Sequence, residues 1–578
     1  MNALLIMLLV FVGYIIAYHL YGKFIGYRIF NLSDEATVPS AELEDGIDYV
    51  PTKKEIIFGH HFTSIAGTGP IVGPAIAIIW GWVPALIWIF AGSIVMGAVH
   101  DFGSLIISMR NQGKSIAEYA SKYVSPRTRF FFFLIVFLEL WIIIAIFGLV
   151  IAVVFSKYPS AVFPVWLQVL IALGLGYMIY KKGANVKIWS IVAVLLMYIT
   201  VVAGTYIPLG MPSVAGIPPT GVWTIILLIY AFIASVLPVT TLLQPRDYIN
   251  SHQLVIAMAL LVAGILVSAF TSGLEIVAPA VQSVPEGAPP LWPFLFITIA
   301  CGAISGFHSL VSSGTSAKQV RTEKDSLFVG YGSMLMEGAL ATLVIIAVAA
   351  GIGMGYVAQN GETLTGIDAW TTHYESWAAA KGLESKIGAF VDGSANMIAS
   401  TGLSRNIALV IMGVFVASFA GTTLDTATRI QRYVISELFG HFKMKFLTGR
   451  YIATFIAVFT GLVLAFATGA GGKGALKLWP LFGATNQTLA ALALIVITFY
   501  LRQKGKMRFL VSALPAAFMS VMTVWALLLN QITFWDSSNF LLQIINMAIL
   551  IIAVWIVFEG LLKLFKTGER TSHYHNQV

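Results

Sequence analysis

Long apolar runs alternate with short polar segments along almost the whole chain. A helix needs about 20 apolar residues to cross the hydrocarbon core of a bilayer, and these runs have that length. The pattern predicts an all-α polytopic membrane protein whose main partner is the lipid bilayer. We expect about fifteen transmembrane helices, numbered here as spans 1 to 15: 2–20, 58–80, 84–108, 130–156, 163–180, 188–207, 222–243, 253–271, 292–312, 328–355, 404–424, 451–469, 478–500, 509–529 and 539–562.

Composition supports this prediction. The 578 residues are 58% hydrophobic and only 10% charged, against roughly 25% charged in an ordinary soluble domain. The net charge of +8 does not indicate nucleic-acid binding, because the basic residues lie in short loops between apolar runs. Residues 2–19 have no basic leader and no small-residue cleavage site, so we expect a retained first span. The single cysteine, Cys301, excludes an internal disulfide.

The basic residues predict an orientation. With the N-terminus outside, 28 of the 34 Lys and Arg residues fall in inside segments and about six fall outside. This bias favours an outside N-terminus and an inside C-terminus. A long acidic loop, 21–57, is then cytoplasmic, and a long polar loop, 358–403, is external. Within the external loop, residues 375–381 are either a short helix over the outer mouth or part of a mobile loop without a role.

Span 2 contains G-H-H-F-T-S-I-A-G-T-G-P-I-V-G-P, residues 59–74, with four glycines and two prolines. Proline removes a backbone donor, and glycine weakens a helix. Broken backbone at membrane depth survives only where it is buried in protein or lines a watery cavity. Many secondary transporters build a binding site from such a break. We therefore predict a substrate site at the backbone and side chains of Ala66, Gly67, Thr68 and Gly69.

Span 7 carries a second interruption at Pro238. Five spans separate the starts of spans 2 and 7, so a five-span repeat would be inverted, and paired interruptions in inverted halves indicate a transporter site. The alternative is a simple proline kink. We predict a five-plus-five inverted-repeat core with broken helices that face each other at mid-depth, and we add Ser235, Thr240 and Thr241 to the substrate site. The predicted divisions are 1–57, a first repeat at 58–207, a second repeat at 222–424, and peripheral spans with a cytoplasmic tail at 425–578.

Charged groups inside spans are costly, so each is a functional candidate. Two interpretations compete for them: a route for a coupled proton, or structural pairing of helix ends. We expect Asp425 to pair with Arg429 at i+4 and His60 to be interfacial, although either histidine of the 60–61 pair could serve a proton-coupled carrier. The intramembrane candidates are His60, His61, His100, Asp101, Glu139, His308, Glu337 and Asp425. Our candidates for the coupled proton are His61, Asp101, His308 and Glu337.

Hydroxyl groups cluster at the end of span 9. Ser312 and Ser313 offer oxygen ligands to a hard cation such as Na⁺, although small residues there also suit tight helix packing. Asn486 and Gln487 are expected to form hydrogen bonds between helices. The sequence contains no nucleotide-binding loop, zinc motif or nucleophile motif, so we predict no cofactor, no metal and no enzymatic activity.

Several long motifs resemble one protein family. They are the 59–74 sequence, A-V-H-D-F, L-P-V-T-T-L-L-Q-P-R-D-Y, L-F-I-T-I-A-C-G-A-I-S-G-F-H-S-L-V-S-S-G-T, G-Y-G-S-M-L-M-E and L-W-P-L-F-G-A-T-N-Q. They closely resemble the carbon starvation protein A (CstA) family of bacterial transporters, from about Tyr21 to Leu489. The resemblance implies a carrier of the bacterial inner membrane, made as a stress response when preferred carbon runs short. It also implies uptake of pyruvate with protons, or of peptides.

The predicted function is therefore symport of a small nutrient. A small carboxylate such as pyruvate suits the N-termini of half-helices, whose exposed amides favour anions. The coupling ion is H⁺, with Na⁺ as the alternative. Peptide uptake by the same fold is the second candidate, and an ion or solute channel is a candidate of another class.

Overall fold

The computed structural model describes residues 2–271, 273–283, 285–358 and 361–566. Helices occupy all fifteen predicted segments. Within the described residues, 12 helices are individually long and apolar enough to cross a membrane, and span 2 passes the same test as a bent pair. Span 9 is two shorter helices, and span 12 is a single helix of 17 residues. The bounds are Ala3–Ile29, Lys54–Ala66 with Gly69–Trp80, Trp82–Met109, Pro126–Lys157, Pro159–Lys181, Val186–Gly204, Pro219–Val236, Leu243–Thr271, Leu291–Thr298 with Gly306–Gly314, Leu327–Met354, Arg405–His441, Arg450–Phe466, Trp479–Gln503, Met507–Asp536 and Phe540–Lys566.

Burial separates central from peripheral spans. The apolar windows of spans 4, 10, 11 and 13 are 78% to 94% buried within the protein, whereas those of spans 1, 5 and 6 are 22% to 33% buried. The first group therefore forms the centre of the bundle. Spans 1, 5 and 6 lie at its edge, where their apolar side chains would face lipid.

The connections add short elements. One-turn or longer helices occur at Pro39–Glu42, Ile116–Tyr123, Gly366–His373, Trp377–Ala380 and Leu383–Ala399. Strand β1 (Tyr356–Val357) pairs antiparallel with β2 (Thr363–Leu364).

The segment 361–403, which the sequence predicts to be external, is largely helical, and most side chains of Leu383–Ala399 are buried. A short helix begins at Trp377, inside the predicted 375–381, and the Trp377 ring lies 5.5 Å from the ring of Trp80 at the end of span 2. The structure thus contains the predicted short helix, and its position over the outer mouth stays a prediction.

Span 2 is broken, as predicted. Half-helix 2a (Lys54–Ala66) and half-helix 2b (Gly69–Trp80) meet at 41°. Gly67 joins them with φ +44°, a left-handed conformation that glycine adopts without steric cost. A Cβ on Gly67 would also lie 2.5 Å from Thr423 Oγ1, so the close approach of span 11 requires glycine at this position.

The predicted break of span 7 is wrong in its position. The helix ends at Val236, and the helix of span 8 begins at Leu243, so Pro238 lies in the turn between two spans. The Val239 N–H donates to the carbonyl of Ile47 in the first loop, at 3.0 Å. Because the apolar residues of this turn extend the hydrophobic run, the sequence pattern placed the turn inside span 7 and started span 8 ten residues late.

The second interruption lies in span 9. Half-helix 9a (Leu291–Thr298) and half-helix 9b (Gly306–Gly314) are separated by residues 299–305. This break abuts the first one. A Cβ on Gly69 would lie 2.5 Å from Cys301 Cβ, and one on Gly73 would lie 2.7 Å from the Thr298 carbonyl oxygen. Seven spans separate the starts of spans 2 and 9, and because seven is odd the two broken helices cross the bundle in opposite directions. The paired, inverted interruption is therefore present, but its second member is span 9.

Candidate functional site

Three of the predicted coupling residues form one chain of contacts beside the two breaks. Asp101 comes from span 3, His308 from half-helix 9b and Glu337 from span 10. His308 Nδ1 hydrogen-bonds to Asp101 Oδ2 at 2.8 Å, and His308 Nε2 lies 3.3 Å from Glu337 Oε2. All three side chains are fully buried. We call Asp101, His308 and Glu337 the triad.

Neighbouring groups orient the triad. His100 Nδ1 hydrogen-bonds to the other oxygen of Asp101 at 2.8 Å. The Gly302 N–H, freed by the break in span 9, donates to Glu337 Oε1 at 3.0 Å. Carboxylate and imidazole groups thus follow one another in close contact from His100 to Glu337.

Both carboxylates of the triad follow a π-helical segment. Asp101 comes four residues after Ser93–Gly97, and Glu337 comes five residues after Leu327–Gly332. A π-helical insertion re-aims the side chains that follow it, and such insertions occur frequently at functional sites. Spans 3 and 10 thus use the same local device to turn a carboxylate toward the breaks.

The remaining coupling candidates are not hydrogen-bonded to the triad. His61 Nδ1 bonds to Ser316 Oγ at 2.7 Å. Ser313 Oγ donates to the Ser309 carbonyl oxygen and accepts from Ile116 N–H, which is a structural role. Among the described residues, the buried Ser312 Oγ and His61 Nε2 have no hydrogen-bond partner.

A second buried charged group joins spans 2, 7, 8 and 11. Arg246 donates to Asp425 Oδ2 and, at 3.1 Å, to Asp247 Oδ1. His60 Nδ1 bonds to Asp247 Oδ2 at 2.6 Å, and the Tyr230 hydroxyl donates to Asp425 Oδ2 at 3.0 Å. We call these five residues the arginine cluster.

The arginine cluster corrects one expectation, because Asp425 pairs with Arg246 rather than with Arg429. His60 is fully buried within the protein, and its expected interfacial location stays a prediction. Sequence reasoning missed Arg246 and Asp247 because it placed them in a loop after span 7. The motif Q-P-R-D-Y could have revealed them, since proline is well tolerated in the first turn of a helix and span 8 does begin there.

Arg429 belongs instead to a cluster that joins span 11 to the first loop. Asp48, from the first loop, accepts from Arg429 at 2.7 Å and from Arg432 at 3.1 Å. Lys318 Nζ lies over the Tyr433 ring at 3.6 Å. Burial of the Asp48 carboxyl opposes ionisation, but the two guanidinium groups prevail and lower its pKa to about 2. We call Asp48, Lys318, Arg429 and Arg432 the loop cluster.

The four predicted substrate residues of the first break lie where half-helices 2a and 2b meet. Ala66, Gly67 and Thr68 are buried, and Gly69 is half-buried. The Thr68 side chain does not cap half-helix 2b, whereas Asn486 Oδ1 accepts from Phe307 N–H at 2.9 Å and so caps half-helix 9b. Pro70 has no N–H, and the N–H groups of Ile71 and Val72 donate to the Thr68 carbonyl. The Gly69 N–H is therefore the amide that the start of half-helix 2b can offer to an anion.

The other predicted substrate residues lie elsewhere. Ser235 is buried beside Ala234, whose carbonyl oxygen accepts from Arg429. Arg429 follows Thr423, the contact of Gly67, by six residues, which is about 9 Å along a helix at about 1.5 Å per residue. The carbonyl groups of Thr240 and Thr241 pack on Gly176 of span 5. The structure therefore does not bring these three residues to the first break.

Two adjoining helix breaks, buried ionisable groups and many spanning helices define the class of a helical secondary transporter. Within that class, the model of the carbon starvation protein CstA family matches residues 2–526, and the chain belongs to this family. It is a multi-pass membrane transport protein and not an enzyme.

Two relatives illustrate the family. The chain is 34% identical over 550 residues to the peptide transporter CstA of Bacillus subtilis (strain 168), covering 91% of this chain and 90% of the relative. It is 32% identical over 575 residues to the pyruvate/proton symporter BtsT of Escherichia coli (strain K12), covering 89% and 80%.

Among solved structures, the fold is similar to that of a manganese transporter from Eremococcus coleocola. The TM-score is 0.52, with 11% sequence identity, over 91% of this chain and 99% of the other. At this identity the likeness concerns the fold alone, and it supports the broken-helix transporter core.

Proposed function

We propose that this protein is a symporter of the bacterial inner membrane that takes up a small carboxylate, most simply pyruvate, together with protons. The observation that carries the proposal is the triad. Two carboxylates and one imidazole share a fully buried chain of contacts directly beside the breaks of spans 2 and 9. Few other arrangements place a titratable unit so close to an anion-binding helix end.

The geometry supports a simple coupling scheme. The substrate carboxylate binds the Gly69 N–H, where half-helix 2b begins. An added anion in a buried site favours protonation of the neighbouring triad, because a nearby negative charge disfavours a second one. Substrate and proton then bind together, and the loaded site changes its access from one side to the other. Ala66, Gly67 and Thr68 complete the proposed substrate contacts.

Peptide uptake is the second candidate, and one observation favours it. Glu337 meets the second break through Gly302, so a carboxylate lies next to the site. The sequence alone placed no acidic residue beside either break. Such a carboxylate could bind the amine of a peptide while half-helix 2b binds its carboxylate. The Bacillus relative named as a peptide transporter is consistent with this alternative.

Uptake by proteoliposomes tests the proposal. Labelled pyruvate and a labelled dipeptide are offered separately under an inward proton gradient, an inward sodium gradient, and a proton gradient collapsed by an uncoupler. We expect pyruvate to accumulate above its external concentration only under the proton gradient. If only the dipeptide accumulates, the substrate is a peptide and not pyruvate. A sodium requirement would move the coupling role to Ser312, Ser313 and the carbonyl groups near Ala66, and uptake that never exceeds equilibration would indicate a channel.

We also propose that the N-terminus is outside and the C-terminus is inside. Glu44 in the first loop and Glu384 in the external segment are both exposed. Each is changed to Cys in a Cys301→Ser background and treated with a membrane-impermeant thiol reagent on intact cells. We expect labelling at 384 and none at 44. The reverse pattern, or labelling at both positions, would overturn this orientation.

The interrupted helices suggest revised repeat boundaries. We place spans 2, 3, 4, 7 and 8 in the first repeat and spans 9 to 13 in the second, so that each repeat opens with its broken helix. Spans 5 and 6 then form an inserted hairpin, which agrees with their low burial of 33% and 22%. Replacing residues 159–204 by a short linker removes an even number of spans. The variant should keep the orientation of all later loops in the same labelling assay, and reversed labelling at position 384 would contradict the assignment.

A further inference from the structure

Cys301 lies in the break of span 9, next to the triad. Its Sγ atom, one nitrogen of His308 and one oxygen of Glu337 all lie within 4.8 Å of one another, and the three residues are buried. Gly69 leaves the space for this thiol, because a Cβ there would lie only 2.3 Å from Sγ. Thiol, imidazole and carboxylate therefore converge where the two interrupted helices touch.

The distances suit a tetrahedral metal. Zinc binds nitrogen and oxygen at about 2.0–2.2 Å, so two such ligands at tetrahedral angles lie roughly 3.3–3.6 Å apart. His308 Nε2 and Glu337 Oε2 are 3.3 Å apart. Within the described part of the chain, neither of these buried atoms has a hydrogen-bond partner of good geometry. Both point into the space that Cys301 borders.

The surroundings of His308 match those of a metal ligand. Its other nitrogen, Nδ1, bonds to Asp101 at 2.8 Å. A carboxylate on the far nitrogen of a histidine is the usual way in which proteins orient a metal-binding imidazole. We infer that Cys301, His308 and Glu337 form a binding site for a divalent transition metal such as Zn²⁺ or Co²⁺, with Asp101 positioning His308.

The ligand set decides the class of metal. A thiolate and an imidazole favour zinc-like ions, whereas Mg²⁺ and Ca²⁺ prefer oxygen ligands. Three protein ligands leave a fourth position open to water or to a carboxylate. Binding releases the thiol proton, because the thiolate is the ligand. If the proposed function holds, metal and coupled proton compete for the same atoms, so bound metal inhibits uptake.

Cobalt titration of the purified full-length protein in detergent tests the site without transport. Because Cys301 is the single cysteine of the chain, a thiolate-to-cobalt charge-transfer band in the near ultraviolet reports this residue alone. We expect the band at one cobalt per chain. Cys301→Ser and Cys301→Ala should lose it while retaining the wild-type melting temperature. Asp101→Asn should keep the band but weaken affinity by about 10- to 100-fold.

His373→Gln is the matched control, since His373 lies in the external segment away from this site, and it should bind cobalt like the wild type. Failure of the wild type to develop the band, or its persistence in Cys301→Ala, overturns the site.

A parallel assay measures pyruvate uptake with and without Zn²⁺. Cobalt binding with no proton-driven uptake would leave the metal site standing and reject the proposed function. Proton-driven uptake without cobalt binding would reject the metal site and leave the proposed function standing.

Discussion

The triad and the arginine cluster are two buried charged groups with nearly the same parts and different properties. Each contains two carboxylates and one nitrogen base between them. Arg246 forms ion pairs with Asp247 and Asp425, and His308 lies within ion-pair distance of Asp101 and Glu337. In the triad the base is the imidazole of His308, which exists in a neutral and a protonated form. In the arginine cluster the base is the guanidinium of Arg246, which stays protonated in proteins.

The difference separates a group that can change its proton content from one that holds a fixed charge. Asp247 and Asp425 share one permanent cation, so one negative charge of this pair is always compensated. Among the described residues, Asp101 and Glu337 contact no Arg or Lys, and the bases beside them are the imidazoles of His308 and, for Asp101, His100. The comparison is consistent with the proposed coupling role of the triad and with a structural role of the arginine cluster between spans 8 and 11. Three experiments test this division, and a fourth tests the loop cluster.

Glu337→Gln should give the largest change. The amide keeps the shape of the side chain but cannot ionise, so we expect complete loss of uphill pyruvate accumulation while substrate exchange continues. Proteoliposome uptake under a proton gradient, compared with counterflow, measures both activities. Glu384→Gln, at an exposed external carboxylate, is the control and should behave like the wild type. Uphill uptake by Glu337→Gln would remove the triad from coupling.

A pair of histidine variants sharpens the comparison. His308→Gln should abolish proton-driven accumulation, because the only base between Asp101 and Glu337 is lost. His60→Gln should retain most of it, since Asp247 still accepts from Arg246. The same uptake assay decides the point. If His60→Gln loses coupling and His308→Gln keeps it, the coupling role belongs to the arginine cluster and not to the triad.

Arg246→Met tests whether the arginine cluster stabilises the packing of spans 8 and 11. Removing one partner of a buried ion pair leaves uncompensated charge and typically costs about 3–5 kcal/mol. We expect a loss of this size in the free energy of unfolding, with partial recovery in Arg246→Met combined with Asp425→Leu. Arg405→Met is the control. Arg405 pairs with Asp392 at 3.5 Å and is 41% exposed, so its loss should cost at most about 1 kcal/mol. Equal losses for Arg246→Met and Arg405→Met would show that the arginine cluster has no special structural role.

Asp48→Asn concerns the loop cluster, which shares span 11 with Asp425. The Asp48 carboxyl has its pKa lowered to about 2 from an ordinary 3.8, a difference worth about 2 kcal/mol at most. A depressed pKa stabilises the fold fully above the unfolded-state value, and this stabilisation is lost as the pH falls through the folded-state value. We therefore expect Asp48→Asn to be less stable than the wild type near neutral pH and the two proteins to converge as the pH falls toward 2. Thermal unfolding followed by circular dichroism across this range measures the effect, and a pH-independent difference would contradict it.

The sequence by itself determined that the protein is an all-helical membrane protein and where most of its apolar helices lie. Each span must supply enough apolar residues to cross the bilayer, and each buried charge stands out against that background. The break of span 2 and the candidates Asp101, His308 and Glu337 were visible for this reason. They depend on local composition, which a single sequence contains.

Tertiary structure decided which of these features meet. The break of span 2 contacts the break of span 9 through Gly69 and Gly73. Arg246 pairs with a residue 179 positions later, and Cys301 lies beside His308 and Glu337. Such pairings follow from how helices distant in sequence pack against one another. Apolar runs specify that a helix crosses the membrane, but since lipid and protein interiors are similarly apolar, they do not specify its neighbours.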